Sequence, residues 1–327
     1  MSDSQRFAIV IATKDRPHRL ARLLESLAQQ SCVPEEIVIV DGGTQPMRLD
    51  VERFMRLPID LVKVQPPSLT RQKNVGVSLL GSDASLVMFF DDDIVLEEGA
   101  LEAMRVFWET AGCELGGAGF MIPSQHYGQG QWVKRLFALD GSQDGQVLRS
   151  GCNTPLNVQE HPYPTQWLRG GATVWRREVV ERFPFNEWFV DNGYMEDVEY
   201  SLRVGQHYSL MAVPEARVRH EEEPLTWRSQ WLFGIRQVTN RFYLVRRFPE
   251  LSILVCLWSF VGQILLNMTV GLLHWGAGGV CRTLGNLVGL VSLVTVQPIQ
   301  GWVRPAWDSK PGTHAEAIRQ INTATVK

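Results

Sequence analysis

Several features that mark common functional classes are scarce or missing in this sequence. The chain of 327 residues has only 5 cysteines and no C-x-x-C pair, so it predicts neither a disulfide framework nor a zinc site. No G-K-[ST] phosphate loop occurs, and the lone G-x-G in HYGQGQWV lacks the third glycine of a dinucleotide-binding loop. A formal net charge of -3 argues against a generally basic nucleic-acid binder.

Charge is also missing from one long segment near the carboxyl terminus. Residues 251–275 contain no Asp, Glu, Lys or Arg. About 20 apolar residues suffice to cross a bilayer, so this segment favours a transmembrane helix. A second apolar stretch follows Arg282 and is broken by Pro298, which predicts an apolar helical hairpin over residues 251–302. The alternative is a hairpin buried against the globular domain.

The segment before this hairpin is basic and amphipathic. Residues 226–250 place aromatic side chains such as Trp227 and Phe242 at helical spacing, with arginines interleaved. Such a helix suits an anionic lipid surface, and packing against a catalytic domain explains the pattern equally well. Arginines beside an apolar span favour a cytoplasmic location for everything upstream, and the apolar run FAIVIA is too short for a signal peptide.

We therefore expect a membrane-associated protein whose catalytic domain faces the cytoplasm, with membrane lipid among its partners. The catalytic domain is predicted at residues 1–225, and a polar tail at residues 303–327. No nucleic-acid partner is expected.

Strand and helix patterns alternate along the first part of the chain. Phe7 to Ala12 and Ile37 to Val40 have the short, apolar pattern of buried strands, and the leucines between them are helically spaced. A second helix is predicted near residues 71–80, followed by the strand SLVMFF. Strand–helix–strand units indicate right-handed crossovers and a parallel sheet, which places the protein in the α/β class.

Polar residues follow three of these predicted strands. Thr13, Asp41 and Asp91 each lie at a predicted carboxyl end. Because ligands of such sheets gather at the carboxyl ends of strands, we expect these side chains to converge on one crevice.

Three consecutive aspartates, Asp91, Asp92 and Asp93, end the apolar run VMFF. Alternate side chains of an extended chain share a face, so Asp91 and Asp93 are predicted to point together. Two converging carboxylates repel each other without a cation, and their oxygens suit Mn²⁺ or Mg²⁺, which complete their shells with water and substrate phosphates. The alternative is a solvated acidic turn that caps the helix beginning near Glu97.

Three further groups are candidates for chemistry. RQKNVG opens a predicted helix with Arg71 and Lys73, which suits a diphosphate or an ordinary charged helix surface. Glu196 and Asp197 begin another predicted helix, where they could act as a general base or only as dipole partners. His220 ends the strand-like run ARVRH and could be a Mn²⁺ ligand or a structural histidine.

Taken in order, these pieces resemble the inverting glycosyltransferases of family two, which have the GT-A fold. The matching pieces are FAIVIATKDRP, IVIVDGG, TRQKNVG, FFDDD, FNEWF with GYMEDVEYSLR, and VRH, and they span about two-thirds of the chain. The resemblance implies Rossmann-like βαβ units and a mixed, mainly parallel sheet. Two departures are Gly42, where members often carry another polar residue, and residues 112–167, where acceptor loops would lie and which match no part of the pattern.

The resemblance also implies roles for particular residues. Asp197 would be the catalytic base with Glu196 beside it, and a Mn²⁺ or Mg²⁺ ion would be held by the D-x-D element of Asp91 and Asp93 with His220. The residues expected to bind the nucleotide-sugar donor are Thr13, Asp15, Arg16, Asp41, Arg71, Lys73, Asn74, Asp91 and Asp92.

The expected reaction is metal-dependent, inverting transfer of a sugar from a UDP-, GDP- or dTDP-linked donor. The expected acceptor is a hydroxyl of a saccharide or of a lipid-linked glycan. Three alternatives remain open. The acceptor could be a polyprenyl phosphate, for which a base is less necessary because the phosphate is already ionised. The aspartates could instead serve a nucleotidyl or phosphoryl transferase. The chain could also bind a nucleotide-sugar without catalysis.

Overall fold

The computed structural model describes residues 6–45, 47, 51–123, 131–221, 226–273 and 277–294. Its strands are β1 (Phe7–Thr13), β2 (Glu36–Asp41), β3 (Ile59–Lys63), β4 (Leu86–Asp91), β5 (Ile94–Leu96), β6 (Leu115–Met121), β7 (Tyr163–Pro164), β8 (Ala172–Arg176) and β9 (Ser209–His220). Its α-helices are α1 (Pro17–Ala28), α2 (Leu69–Leu79), α3 (Ala100–Glu109), α4 (Gln131–Leu136), α5 (Arg177–Arg182), α6 (Glu196–Gly205), α7 (Trp227–Arg247), α8 (Ile253–Leu273) and α9 (Ala277–Val294). The tail predicted at residues 303–327 lies outside the described residues.

The strands form one mixed sheet in the order β3-β2-β1-β4-β8-β6-β9-β5, with β7 paired to β9. The pairs among β1, β2, β3 and β4 are all parallel, as the strand–helix pattern predicts for β1, β2 and β4; the edge strand β3 was not predicted from the sequence. Beyond β4 the sheet departs from the mainly parallel expectation, because β8 runs antiparallel to both β4 and β6, and β5 runs antiparallel to β9. The strands β5, β6, β8 and β9 all follow residue 93 and so lie beyond the strand–helix units predicted from the sequence.

The register of the parallel strands aligns their carboxyl ends. Thr13 pairs with Asp41, and Ala12 pairs with Asp91. Strand β1 has β2 on one side and β4 on the other, so the chain order reverses at β1. Ligands of open α/β sheets bind at such a switch point, which places the polar strand ends where a ligand site is expected.

Both faces of the central strands are buried. Ile9 and Ile11 of β1 pack with Leu23 of α1, whereas Val10 points to the opposite layer, which contains Tyr200 of α6. Adjacent residues of a strand alternate between faces, so burial on both sides requires the continuous apolar run seen in the sequence.

The carboxyl-terminal helices pack onto this domain through α7. The ring of Tyr243 stacks on that of Trp188 with centroids 3.7 Å apart, and Asn240 donates to the carbonyl of Tyr194 at 2.8 Å. Of the two explanations for the basic amphipathic segment, packing on the catalytic domain is therefore the one that the contacts show. Ile235, Val238, Leu244 and Val245 of this helix are buried, whereas Trp227 at its start is 70% exposed.

None of the helices, over the residues that the structure describes, is long and apolar enough to cross a membrane. The transmembrane expectation for residues 251–302 is therefore not confirmed. The three terminal helices instead share a cluster of amides, in which Asn267 donates to Asn286 at 2.7 Å and to Gln237 at 3.3 Å. The absence of charge in this segment predicted an apolar span, but it did not reveal these polar contacts between helices.

The contact between α2 and β1 gives a test of the packing. A Cβ atom on Gly76 would lie 2.3 Å from Cγ1 of Val10, which is 1% exposed. We expect Gly76→Ala to lower the free energy of unfolding by about 1–3 kcal/mol, because overpacking outweighs the gain in helix propensity. Urea denaturation measures this change.

The matched control is Gly205→Ala, since no atom lies within 4 Å of the Cβ position there. It should not destabilise the protein. Adding Val10→Ala to Gly76→Ala should cost less than the sum of the two single changes, because the methyl group of one fills the space left by the other. Additive losses would contradict this account of the contact.

Candidate active site

A cleft of about 290 Å³ opens at the carboxyl ends of the central strands. Asp91 and His220 line it on one side, and Glu196 and Asp197 line it at the start of α6. Two separate acidic elements of the sequence, more than 100 residues apart, therefore face one cavity.

Asp92 and Thr13 connect the turn after β4 to the end of β1. The Thr13 hydroxyl donates to Asp92 Oδ2 at 2.7 Å, and Arg16 Nη1 lies 3.3 Å from Asp92 Oδ1. Burial raises the pKa of Asp92, while the Thr13 hydrogen bond and the charge of Arg16 oppose that rise. All three residues were expected to bind the donor, and the structure brings them together around the acidic turn.

Asp93 lies among basic groups from two elements. His220 Nε2 is 3.1 Å from Asp93 Oδ1, and Arg19 Nη1 is 3.3 Å from Asp93 Oδ2. Burial alone would raise the pKa of Asp93, but the His220 hydrogen bond and the two nearby arginines lower it overall. The pairing of Ile94 with His220 in the β5–β9 ladder brings the histidine to this position.

Asp91 differs from its two neighbours. Its Oδ1 atom is buried and has no hydrogen-bond partner among the described residues, and a Cβ on Gly171 would lie 2.7 Å from its Oδ2. Burial raises the pKa of Asp91 to about 6, with the charge of Lys73 opposing the rise. A carboxylate oxygen without a donor is available for a cation.

These groups have the chemistry of a Mn²⁺ or Mg²⁺ site. Carboxylate oxygens from Asp91 and Asp93, with the imidazole of His220 close by, are ligands that such ions accept. Within the described part of the chain, no three acidic, histidine or cysteine side chains come together closely enough to hold a metal by themselves. A bound ion would therefore rely on few protein ligands and complete its shell with water and substrate.

Asp197 is fixed by backbone groups at the start of α6. Its Oδ2 accepts a hydrogen bond from the amide of Gly170 at 3.2 Å, and its Oδ1 accepts one from the amide of Val198 at 2.9 Å. Burial raises the pKa of Asp197, while these two hydrogen bonds oppose that rise. The result is an oriented carboxylate at the cleft wall.

The adjacent Glu196 is paired with Lys73. Lys73 Nζ lies 2.7 Å from Glu196 Oε1 and also donates to the carbonyl of Gly170 at 3.1 Å. Burial raises the pKa of Glu196 to about 7, while the charge of Lys73 opposes that rise. Lys73 was expected to hold the donor, but the structure directs its ammonium group to Glu196 and Gly170.

The other residues of RQKNVG have different environments. Asn74 donates to the carbonyl of Phe185 at 2.9 Å and accepts from the amide of Phe185 at 2.7 Å, so it fixes a loop and not the cleft. Arg71 is partly exposed. Gln72, which sequence reasoning missed, donates to the carbonyls of Thr13 at 2.9 Å and Val40 at 2.7 Å. It therefore ties α2 to the ends of β1 and β2.

Asp15 and Asp41 meet around one glycine. Asp41 Oδ1 accepts from the amide of Gly43 at 2.7 Å, and a Cβ on Gly43 would lie 2.8 Å from both Asp41 Oδ1 and Asp15 Oδ1. The two carboxylates expected in the base and ribose pocket are thus brought together. Arg19 was missed because its partner, Asp93, lies 74 residues away; its only local signal was its position three residues after Arg16.

Residues 8–184 match the profile described as Glycosyl transferase family 2, which is more than half of the chain. The chain belongs to this family. It is accordingly a glycosyltransferase, and the predicted resemblance is confirmed.

One similar protein is an uncharacterized glycosyltransferase, YwdF, of Bacillus subtilis (strain 168). It is 32% identical over 107 residues, which cover 32% of this chain and 39% of that protein. The chain thus matches well under half the length of this relative.

Two solved structures share the fold. One is the mannosyltransferase PcManGT from Pyrobaculum calidifontis in complex with GDP-Man and Mn²⁺, at 13% identity and a TM-score of 0.54, covering 87% of each chain. The other is GalNAc-T7 with UDP, GalNAc and Mn²⁺, at 13% identity and a TM-score of 0.51, covering 79% of this chain and 55% of that one. The expected GT-A-like α/β fold is therefore confirmed.

The raised pKa of Asp91 makes a prediction about stability. Because the folded protein holds this proton up to about pH 6 and the unfolded chain releases it near 3.8, folding stability is lost as the pH rises through that window. Asp91→Asn should therefore stabilise the metal-free protein more at about pH 7.5 than at about pH 5. The gain in unfolding free energy from Asp91→Asn should be about 1–2 kcal/mol larger at the higher pH. This figure allows for solvent screening, because Asp91 is partly exposed.

Chemical denaturation of wild type and Asp91→Asn at both pH values, without divalent metal, measures this difference. The control is Asp60→Asn on the edge strand β3, where the aspartate is exposed. Equal effects of the two substitutions at both pH values would contradict the assigned environment of Asp91.

Proposed function

We propose that this glycosyltransferase carries out inverting, divalent-metal-dependent transfer of a sugar from a nucleotide-sugar donor to an acceptor hydroxyl. The acceptor is a saccharide or a lipid-linked glycan. The observation that supports this most directly is the oriented carboxylate of Asp197 in the cleft that Asp91 and His220 also line. A potential cation site and a base facing one cavity are what a single displacement of a nucleoside diphosphate requires.

The acidic turn of residues 91–93 after β4 is the proposed binding site for the donor. Asp91 and Asp93 would hold the ion, whose positive charge, when bound, offsets the charge that develops on the departing nucleoside diphosphate. The structurally similar mannosyltransferase and GalNAc-T7 are both described with Mn²⁺ and a nucleotide or nucleotide-sugar, which supports this assignment. Asp15 and Asp41 lie at the adjacent strand ends and provide acceptors for the hydroxyl groups of a ribose.

The acceptor side rests on Asp197. Its carboxylate takes the proton of the acceptor hydroxyl while the hydroxyl oxygen forms a bond to the anomeric carbon. The bond from that carbon to the diphosphate oxygen breaks on the opposite face, so the configuration inverts. Partial burial raises the pKa of Asp197, which strengthens it as a base.

Asp197→Asn should lower kcat by about 10²–10⁴-fold and leave donor affinity nearly unchanged, because the amide keeps the shape but cannot accept the proton. The assay is nucleoside diphosphate release from a panel of sugar nucleotides, with and without Mn²⁺ or Mg²⁺. Donor affinity is measured separately by calorimetry.

Asp93→Ala is the matched variant at the donor site. It should abolish the nucleoside diphosphate release that depends on Mn²⁺ or Mg²⁺. Parallel loss of turnover and donor affinity in Asp197→Asn would show that Asp197 is structural. Release of pyrophosphate or phosphate without a sugar product would favour a nucleotidyl or phosphoryl transferase instead.

The location of the protein is a separate part of the proposal. The helices α8 and α9 expose an apolar face among the described residues, which includes Leu254, Leu257, Trp258, Val261, Leu265, Leu284 and Leu287. The short helix α4 extends this face, because the indole of Trp258 donates to the carbonyl of Leu136 at 2.9 Å and Trp132 is 73% exposed. Lys134 and Arg135 of α4 lie beside it.

An apolar face with tryptophans and neighbouring cations suits the surface of an anionic membrane. We therefore propose that this face lies on the cytoplasmic leaflet and holds the cleft near a lipid-linked acceptor. It would equally serve a polyprenyl phosphate acceptor.

Leu254→Glu combined with Trp258→Glu should reduce co-sedimentation with vesicles of phosphatidylcholine and phosphatidylglycerol by about tenfold or more, because two charges enter the apolar contact. Val33→Glu, an exposed apolar position elsewhere, is the control and should have no effect. Self-association of wild type in light scattering, without vesicle binding, would instead identify a second copy as the partner of this face.

A further inference from the structure

Lys73 is a buried cation directly beneath the cleft. Only 2% of it is exposed, and its Nζ atom lies 5.0 Å from the ring centroid of Phe185 and 5.8 Å from that of Phe89. A lysine is seldom buried without charged partners, because desolvation of the ammonium group is costly. Its hydrogen bonds to Glu196 and to the carbonyl of Gly170 compensate that cost.

The backbone of Gly170 connects Lys73 to Asp197, through the two peptide groups on either side of its Cα atom. Its carbonyl accepts from Lys73 at 3.1 Å, and its amide donates to Asp197 Oδ2 at 3.2 Å. No space exists for a side chain here, since a Cβ on Gly170 would lie 2.7 Å from Glu196 Oε1 and 3.0 Å from Asp197 Cβ. The backbone of Gly170 is therefore confined between the lysine and the two acids.

The charge of Lys73 acts on three acidic groups. It opposes the burial-induced rise in the pKa of Asp91, Glu196 and Asp197. Glu196 is in direct contact with it at 2.7 Å, and its other oxygen, Oε2, is buried with no hydrogen-bond partner among the described residues. Without Lys73, the buried Glu196 would lose this ion pair.

The environment of Lys73 is itself fixed by the next residue. The two hydrogen bonds between Asn74 and the backbone of Phe185 hold the loop whose ring covers the Lys73 ammonium. Two adjacent residues of α2 therefore act together. Asn74 holds the loop that places the Phe185 ring over the ammonium group, and Lys73 pairs with Glu196.

We infer that Lys73 is a positioning residue for Asp197, because its ammonium group holds Glu196 and the carbonyl of Gly170, the residue whose own amide donates to the Asp197 carboxylate. This inference rests on the proposed function, which assigns the base role to Asp197. It replaces the donor contact expected for Lys73 from the sequence.

The test compares Lys73→Met, Lys73→Arg and the double change Lys73→Met/Glu196→Gln. We expect Lys73→Met to lower kcat by about 10²-fold, as a small misplacement of a reacting group does, with the donor KM changed less than about threefold. Lys73→Arg should restore part of kcat, since it keeps the charge and the donors. The double variant should recover stability but not kcat, because the Gly170 carbonyl still lacks its donor.

The matched control is Arg203→Met, which removes a 3.2 Å ion pair to Glu199 in the same helix α6 away from Gly170. It should lower the melting temperature without lowering kcat. An unchanged kcat in Lys73→Met, or full recovery of kcat in the double variant, would overturn the positioning role. A raised donor KM with unchanged kcat would instead make Lys73 a donor contact.

Failure of the proposed function has a different signature, which is the absence of nucleoside diphosphate release by wild type with every donor. Crystal structures of wild type and Lys73→Met then decide the inference without activity. Displacement of the Asp197 carboxylate from the Gly170 amide in the variant supports it, and an unmoved carboxylate overturns it.

Discussion

The central constraint on this structure is that several acidic side chains lie buried or partly buried around one cleft. Asp91, Asp92, Asp93, Glu196 and Asp197 all lie at strand or helix ends around one cavity or the turn beside it. Buried carboxylates are tolerated only when cations or hydrogen-bond donors face them. These partners come from different elements: Arg16, Arg19 and the imidazole of His220 face Asp92 and Asp93, and Lys73 faces Glu196. Asp91 Oδ1 is buried and has no hydrogen-bond partner among the described residues, which would leave it available to the proposed ion.

The sheet topology explains how residues so distant in sequence reach this arrangement. Parallel pairing of β1 with β2 and β4 aligns three strand ends, and the antiparallel strand β8 brings Gly170 and Gly171 to the same edge. Glycine is required at both positions because side chains there would collide with the acids. The backbone at Gly170 therefore approaches Asp197 closely enough to donate a hydrogen bond to it, and the backbone at Gly171 packs against the Asp91 carboxylate.

The sequence predicted the features that depend on local periodicity. The strands Phe7–Thr13 and Glu36–Asp41 and the helix between them lie where apolar spacing placed them, and the polar residues at the strand ends share one edge. Features that depend on distant partners were missed. Arg19 and Gln72 have no local pattern that identifies their partners. Lys73 has the sequence pattern of an ordinary cation on a helix surface, and only the packing of α6 shows that it is buried and paired with Glu196. The membrane span expected from the uncharged carboxyl-terminal segment is not confirmed, and the contact of Asn267 and Asn286 with Gln237 of α7 was missed for the same reason.

The two sides of the cleft also differ in how their acids are compensated, which bears on why a lysine lies behind the proposed base. An ion held by few protein ligands would complete its shell with water and substrate, so on the proposed donor side the acids would be compensated only while the ion is bound. Lys73, by contrast, is part of the fold, and its ammonium group contacts Glu196 and the carbonyl of Gly170. In the proposed function it would keep Asp197 oriented whether or not the ion and the nucleotide are bound.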